Sequence, residues 1–122
     1  MEPVFRCMSN GEVILKETAA ARSYSRPGGR AQTGQDVHAK ALAELKKKGG
    51  DRKNRGHVLG CYTLQFGKYQ GVSFKWLLEN ALGYAAFIVV DVKKEKKTEA
   101  PLSVNKFALL VCICIVFNNF LL

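Results

Sequence analysis

The chain has 122 residues, and its 19 Lys and Arg against 10 Asp and Glu give a formal net charge of +9 and a pI near 9.6. That length admits one small domain and excludes a multidomain assembly within this chain. The charge favours an anionic partner, either nucleic acid or an anionic membrane surface.

The first segment, residues 1–17, reads as a hairpin. "VFRCMS" and "EVILK" flank Asn10-Gly11, a pair suited to a turn with positive φ at both central residues. Residues 18–56 change character. "AAARSYSRPGGRAQTGQ" has no apolar period and reads as a flexible linker. It leads into a short helix over 37–48, with Asp36 as N-cap and an apolar stripe of Val37, Ala41 and Leu45. Lys46, Lys47 and Lys48 suit the negative end of the helix dipole, and Gly49-Gly50 stop the helix. With Arg52, Lys53 and Arg55 they form a basic run, the pattern of a nucleic-acid patch or a nuclear localisation signal. Residues 18–58 hold ten Lys and Arg against three Asp and Glu, so this region supplies most of the charge.

Residues 57–110 read as a small α+β module. Cys61 to Phe66 is rich in β-formers and is expected as a strand. "GKYQG" is a turn. "VSFKWLLENALG" has Phe74, Leu77 and Leu78 at helical spacing, and Gly83 is expected to break that helix. "YAAFIVVDVKKEKK" is expected as a second helix, with Tyr84, Phe87, Ile88 and Val92 on one face; a strand over Ile88–Val90 is the alternative. The fold class expected is therefore α+β: a short strand or hairpin followed by two helices, behind a basic and largely disordered N-terminal half.

Residues 111–122 continue an apolar tail that starts at Phe107. Sixteen helical residues span about 24 Å, short of a hydrocarbon core of about 30 Å. Three readings stand for it: a membrane-associated segment, a core strand, or a retained intron read to its first stop. Codons for Val111-Cys112 fit the third, since they begin GT and TG.

Chemistry-bearing clusters are scarce. Cys7, Cys61, Cys112 and Cys114 form no C-x-x-C pair, and His57 with Cys61 is half a zinc set at most. Serines lack a Gly-x-Ser-x-Gly context, and Asp91 and Glu95 sit among lysines. "GKYQG" lacks the Gly-Lys-Ser/Thr of a phosphate loop. No catalytic residue, metal or cofactor is expected, and so no enzyme. "MEPVFRCMSNGEVILKE" has no secretory pattern, so an intracellular and preferentially nuclear setting with free thiols is expected.

"FGKYQG", an aromatic-bearing helix and then "GY" together resemble one small module. Phe-Gly-Lys-Tyr/His-x-Gly with a downstream Tyr and Trp marks the accessory domain at the C-terminal end of exonuclease X-like exonucleases. It also marks a family of short uncharacterised proteins sharing that domain. "SFKWLLENALGYAAFIVVD" and "APLSVNKFAL" are similar to a module of fish and invertebrate proteins, some related to mobile elements. The likeness covers Tyr62 to Leu110. It departs from the pattern in that Trp76 precedes Tyr84 and no nuclease domain precedes the module. It implies a non-catalytic nucleic-acid-associated module, with Lys68 and Tyr69 at the contact. Gly67 and Gly71 would free backbone N–H groups for an anion. The expected nucleic-acid-binding set is Lys68, Tyr69, Lys75, Lys46, Lys47, Lys48, Arg52, Lys53 and Arg55, binding without sequence preference. The alternatives are a protein-interaction module, or a membrane-associated protein through residues 107–122.

Overall fold

The computed structural model describes the backbone of residues 2–121 and the side chains of residues 2–118. Among the described residues the chain is helical: α1 (Ala19–Ser23), α2 (Gly34–Lys47), α3 (Arg55–Gly60), α4 (Phe74–Asn80), α5 (Leu82–Val92) and α6 (Pro101–Leu121). This overturns the α+β expectation. Among the described residues no strand forms, and antiparallel pairing is confined to two isolated bridges, Cys7 with Val13 and Thr63 with Ser73.

Cys61–Phe66, expected as a strand, is turn and loop whose ladder pairing is limited to the Thr63–Ser73 bridge, and a short helix stands just before it. Asn54 accepts the His57 N–H through its side chain at 3.1 Å and caps α3. Val58 and Leu59 then bury as helix residues. The β-formers of residues 61–66 find no neighbouring strand among the described residues, so their β preference is not realised. α2 likewise begins three residues earlier than the Asp36 cap implies. Thr33 is the N-cap, accepting the Asp36 N–H at 3.2 Å, so Asp36 sits in the first turn. The end of α2 is as expected. The Gly50 N–H reaches the Leu45 carbonyl and the Gly49 N–H the Lys46 carbonyl, a Schellman pair. The Val37, Ala41 and Leu45 stripe is buried, with Ala41 and Leu45 packing against Val58 of α3 and Cys61, its C-cap.

The main core lies among α4, α5, α6 and the loop before α4. Phe74, Leu77 and Leu78 are buried as their spacing predicts. α5 is a helix rather than a strand, but its inner face is Leu82, Ala85, Ile88, Val89 and Val92. Phe87, expected inside, is 71% exposed. The break before α5 falls at Ala81, with φ −146° and ψ 52°, and not at Gly83. Gly83 instead lies in the first turn of α5, where its N–H donates to the Leu15 carbonyl at 3.0 Å. A Cβ there would stand 2.9 Å from that oxygen, so the close approach requires glycine. In urea denaturation, Ile88→Ala is expected to cost about 2–4 kcal/mol, whereas Phe87→Ser should stay within about 0.5 kcal/mol of the parent. Equal effects would restore the originally expected face.

The N-terminal half is ordered by tertiary contacts, contrary to its linker composition. Residues 4–16 form a hairpin-like turn closed by Met8 N to Glu12 O (2.7 Å) and Ile14 N to Arg6 O (2.8 Å). Its turn differs from the Asn-Gly type expected: only Gly11 has positive φ, at 88°. The Gly11 N–H to Met8 carbonyl bond marks a three-residue loop with glycine in the left-handed position. This segment docks on α4 and α6. Arg6 Nε donates to the Glu79 carbonyl at 3.2 Å, and Phe5 stacks on Phe117 at 4.9 Å. Beyond α1, residues 24–32 form a strap over the central loop. The Tyr24 hydroxyl donates to the Gln70 carbonyl (2.6 Å), and the Gln32 N–H donates to Gln65 Oε1 (2.7 Å). Gly, Ser and Pro composition reports local freedom; these bonds to a distant segment remove it.

α6 crosses the boundary at residue 111 without interruption. Asn105, Leu109, Cys112 and Val116 recur at helical spacing and are buried against the core. Twenty-one helical residues make a rod of about 32 Å. Asn105 deserves its polar side chain: Oδ1 accepts the Gln65 N–H at 2.9 Å and Nδ2 donates to the Thr63 carbonyl at 3.0 Å. Gln65 in turn donates to the Thr63 carbonyl and hydroxyl. A buried amide network thus ties α6 and the strap to the loop that precedes α4.

A candidate nucleic-acid interface

The residues of the basic run are arranged by the turn between α2 and α3. Lys46 and Lys47 end α2, Lys48 is its C-cap, and the Schellman turn leads directly into residues 51–54 and the start of α3 at Arg55. Lys46, Lys47, Lys48, Arg52, Lys53 and Arg55 are all exposed. Among the described residues none of the six makes an ion pair or a side-chain hydrogen bond. One carboxylate lies within the run: Asp51 Oδ1 accepts the Lys53 N–H at 2.9 Å. Six uncompensated cations within ten residues produce a local positive field that attracts polyanions.

Lys75 comes to the edge of this region from α4. It lines a hollow of about 280 Å³ together with Lys48, His57, Gly60 and Cys61. Its ammonium is paired with Glu79 at 3.1 Å, so it adds less net charge than the free lysines. His57 has both ring nitrogens engaged. Nδ1 accepts the Asp51 N–H at 3.3 Å and Nε2 lies 3.1 Å from Glu2. The pairing of His57 with Cys61 as metal ligands is therefore not what this geometry offers.

The two residues assigned by the motif likeness lie elsewhere. Lys68 is exposed but ion-paired with Glu17 at 3.1 Å. Glu17 raises the Lys68 ammonium above its ordinary range. Tyr69 is fully buried, its ring edge-on to Tyr84 at 5.0 Å and near Trp76 and Tyr24. As folded it presents no face to a base. Its hydroxyl meets no partner at hydrogen-bond geometry, yet it lies close enough to hold the Glu17 carboxyl below the usual range, with Lys68 contributing next. Burial pushes the Tyr69 phenol up. The Gly71 N–H, expected to be free for an anion, donates to the Leu64 carbonyl at 2.8 Å. "FGKYQG" is thus a folded corner whose ring is core and whose lysine closes a latch to Glu17. Glu17 was missed from sequence, since no local pattern links it to a lysine 51 residues away.

The thiols are sorted by burial. Cys7 and Cys114 are exposed, whereas Cys61 and Cys112 are buried. Burial raises the Cys61 thiol, opposed by Lys48 and then reinforced by Glu44. Burial pushes Cys112 up to about 12 from the ordinary 9.0. At pH 8, an aromatic disulfide reagent is expected to titrate the two exposed thiols rapidly and the other two only on unfolding. The pH dependence follows from Cys112. Above pH 9 the unfolded chain loses a proton that the fold retains up to about 12. Stability is therefore whole below pH 9 and declines as pH rises through that window. Rapid labelling of Cys112 in the folded chain would contradict its burial.

No protein-family model matches the chain, and neither a curated protein nor a solved structure is similar to it.

Proposed function

We propose that this chain is a non-catalytic module that binds nucleic acid through the exposed face Lys46–Arg55, by phosphate contacts and without sequence preference. The observation that carries it is the set of six unpaired cations gathered at one end of α2 and the start of α3. Such contacts neutralise phosphates and release counterions, so affinity falls steeply with salt. The module likeness over Tyr62–Leu110 supports the same class of partner, with its contact moved from Lys68 and Tyr69 to the basic face. A nuclear setting accords with this reading. Fluorescence anisotropy with a labelled oligonucleotide tests it: tight binding at low salt and loss at moderate salt are expected. Binding to a protein partner that survives added salt, with none to the oligonucleotide, would replace it with an interaction module.

A second reading rests on α6. Pro101–Asn118 is apolar and long enough to cross a membrane, with mean hydropathy 1.8 and 22% of the window buried. Seating it in lipid would withdraw Asn105, Leu109, Cys112 and Val116 from the core. Carbonate extraction separates the two arrangements, and release of the full chain to the soluble fraction is expected.

A further inference from the structure

A second concave surface lies where the 24–32 strap, α2 and the loop 63–71 meet, with a volume of about 260 Å³. Arg30 and Lys40 both line it, and no carboxylate does. Neither cation has an ion pair or hydrogen bond among the described residues, and Asp36, one turn before Lys40 on α2, is not paired with it. Two like charges converge on one hollow with nothing to neutralise them.

The remaining lining is polar and partly committed. Gln65 is spent within the amide network, and its donation leaves the Thr63 hydroxyl proton free to donate outward. Gln70 Nε2 donates to the Gly29 carbonyl at 3.2 Å, which leaves its Oε1 open. The side-chain amide of Gln32 has no hydrogen bond among the described residues. Its own backbone N–H is fixed by Gln65, so the wall that carries it is held in place. The hollow therefore offers two cations, neutral donors and an acceptor on a braced frame. That combination suits a ligand with an anionic end and a neutral polar body. Its volume lies just below the usual ligand-site range of about 300–1,000 Å³, which sets the body to one nucleoside or sugar.

We propose that this hollow binds a phosphate monoester, its phosphate held between Arg30 and Lys40 and its organic body resting against Gln32, Thr63 and Gln70. Arg30 supplies a planar fork suited to two phosphate oxygens, and Lys40 a point charge. The site stands apart from the Lys46–Arg55 face and does not depend on it.

The test is titration of the full chain with a nucleoside 5′-monophosphate, ribose 5-phosphate and inorganic phosphate, followed by amide chemical shifts and calorimetry. At least one of the two esters is expected to bind at about 1 mM or tighter, roughly tenfold ahead of inorganic phosphate. Shifts should centre on Gly28, Arg30, Lys40 and Gly71, and whichever ester binds better identifies the body. Arg30→Gln with Lys40→Gln should weaken binding by about tenfold or more, with unchanged circular dichroism because both side chains are exposed. Lys46→Gln, Lys47→Gln and Lys48→Gln together should leave it unchanged. The proposal is overturned by no binding of either ester, by inorganic phosphate binding as tightly, by indifference to the double variant, or by loss in the triple variant instead. Oligonucleotide binding by the Lys46–Arg55 face can fail or succeed without altering any of these outcomes.

Discussion

Replacing Lys46, Lys47 and Lys48 with glutamate is expected to abolish oligonucleotide binding while leaving the fold intact. All three side chains are exposed and, among the described residues, make no ion pair or hydrogen bond, so the fold loses only their favourable interaction with the α2 dipole, about 0.3–1 kcal/mol each. Reversal converts attraction into repulsion across the whole Lys46–Arg55 face. For the parent chain, six phosphate contacts would give a slope of about −5 in log affinity against log salt, a loss of about 10³ between 50 and 200 mM. The milder substitution to glutamine should reduce the slope by about one for each lysine engaged, so by about three in the triple variant. Substitution of Lys68 should change the slope little, because its charge is already met by Glu17 at 3.1 Å. If Lys68→Ala weakened binding as much as the triple variant, the contact would belong to the glycine-bounded corner and not to the α2–α3 turn.

A large effect on stability is expected from Asn105→Leu. The substitution keeps the number and branching of side-chain heavy atoms but orphans the Gln65 N–H and removes one of the two donors to the Thr63 carbonyl. Each buried group left without a partner costs about 1–3 kcal/mol. The Thr63 carbonyl retains its bond from Gln65 Nε2, so one group is left unpartnered and the expected cost is about 1–3 kcal/mol. For a chain of this size this corresponds to a fall in Tm on the order of 10 °C. Cys114→Ser, on the exposed side of the same helix, is the control and should shift Tm by no more than about 2 °C. Equal Tm values for the parent and Asn105→Leu would mean that α6 does not pack on this loop in solution. Carbonate extraction would then decide whether it sits in a membrane.

Several features were readable from residues close together in the chain. The α2 stripe, its Gly49-Gly50 stop, the buried trio Phe74, Leu77 and Leu78, and the helical state of α5 each depend on a spacing or a cap within one or two turns. The basic run was readable too, because charge on a short segment needs no tertiary structure to be counted. The errors share one source. Cys61–Phe66 looked like a strand because β-formers report how a side chain would sit on a sheet, and no sheet forms among the described residues to receive them. Tyr69 looked like a stacking platform because an aromatic between glycines is locally unconstrained. Its burial is set by Tyr24, Trp76 and Tyr84, which arrive from three other segments.

Local chemistry along the chain was enough to establish the helices that carry their own caps and stripes, and the position of the positive charge. Lys75 meets Glu79 one turn along the same helix, a local pairing, whereas long-range packing decided that Lys68 meets Glu17. Among the described residues Lys46, Lys47, Lys48, Arg52, Lys53 and Arg55 meet no carboxylate. Packing also decided that a Gly- and Pro-rich stretch becomes a strap and that an apolar tail becomes a core helix. The physical reason is the same in both. Gln32 with Gln65, and Gln65 with Asn105, join residues 33 and 40 positions apart, and a bond between distant segments leaves no periodic mark on either one.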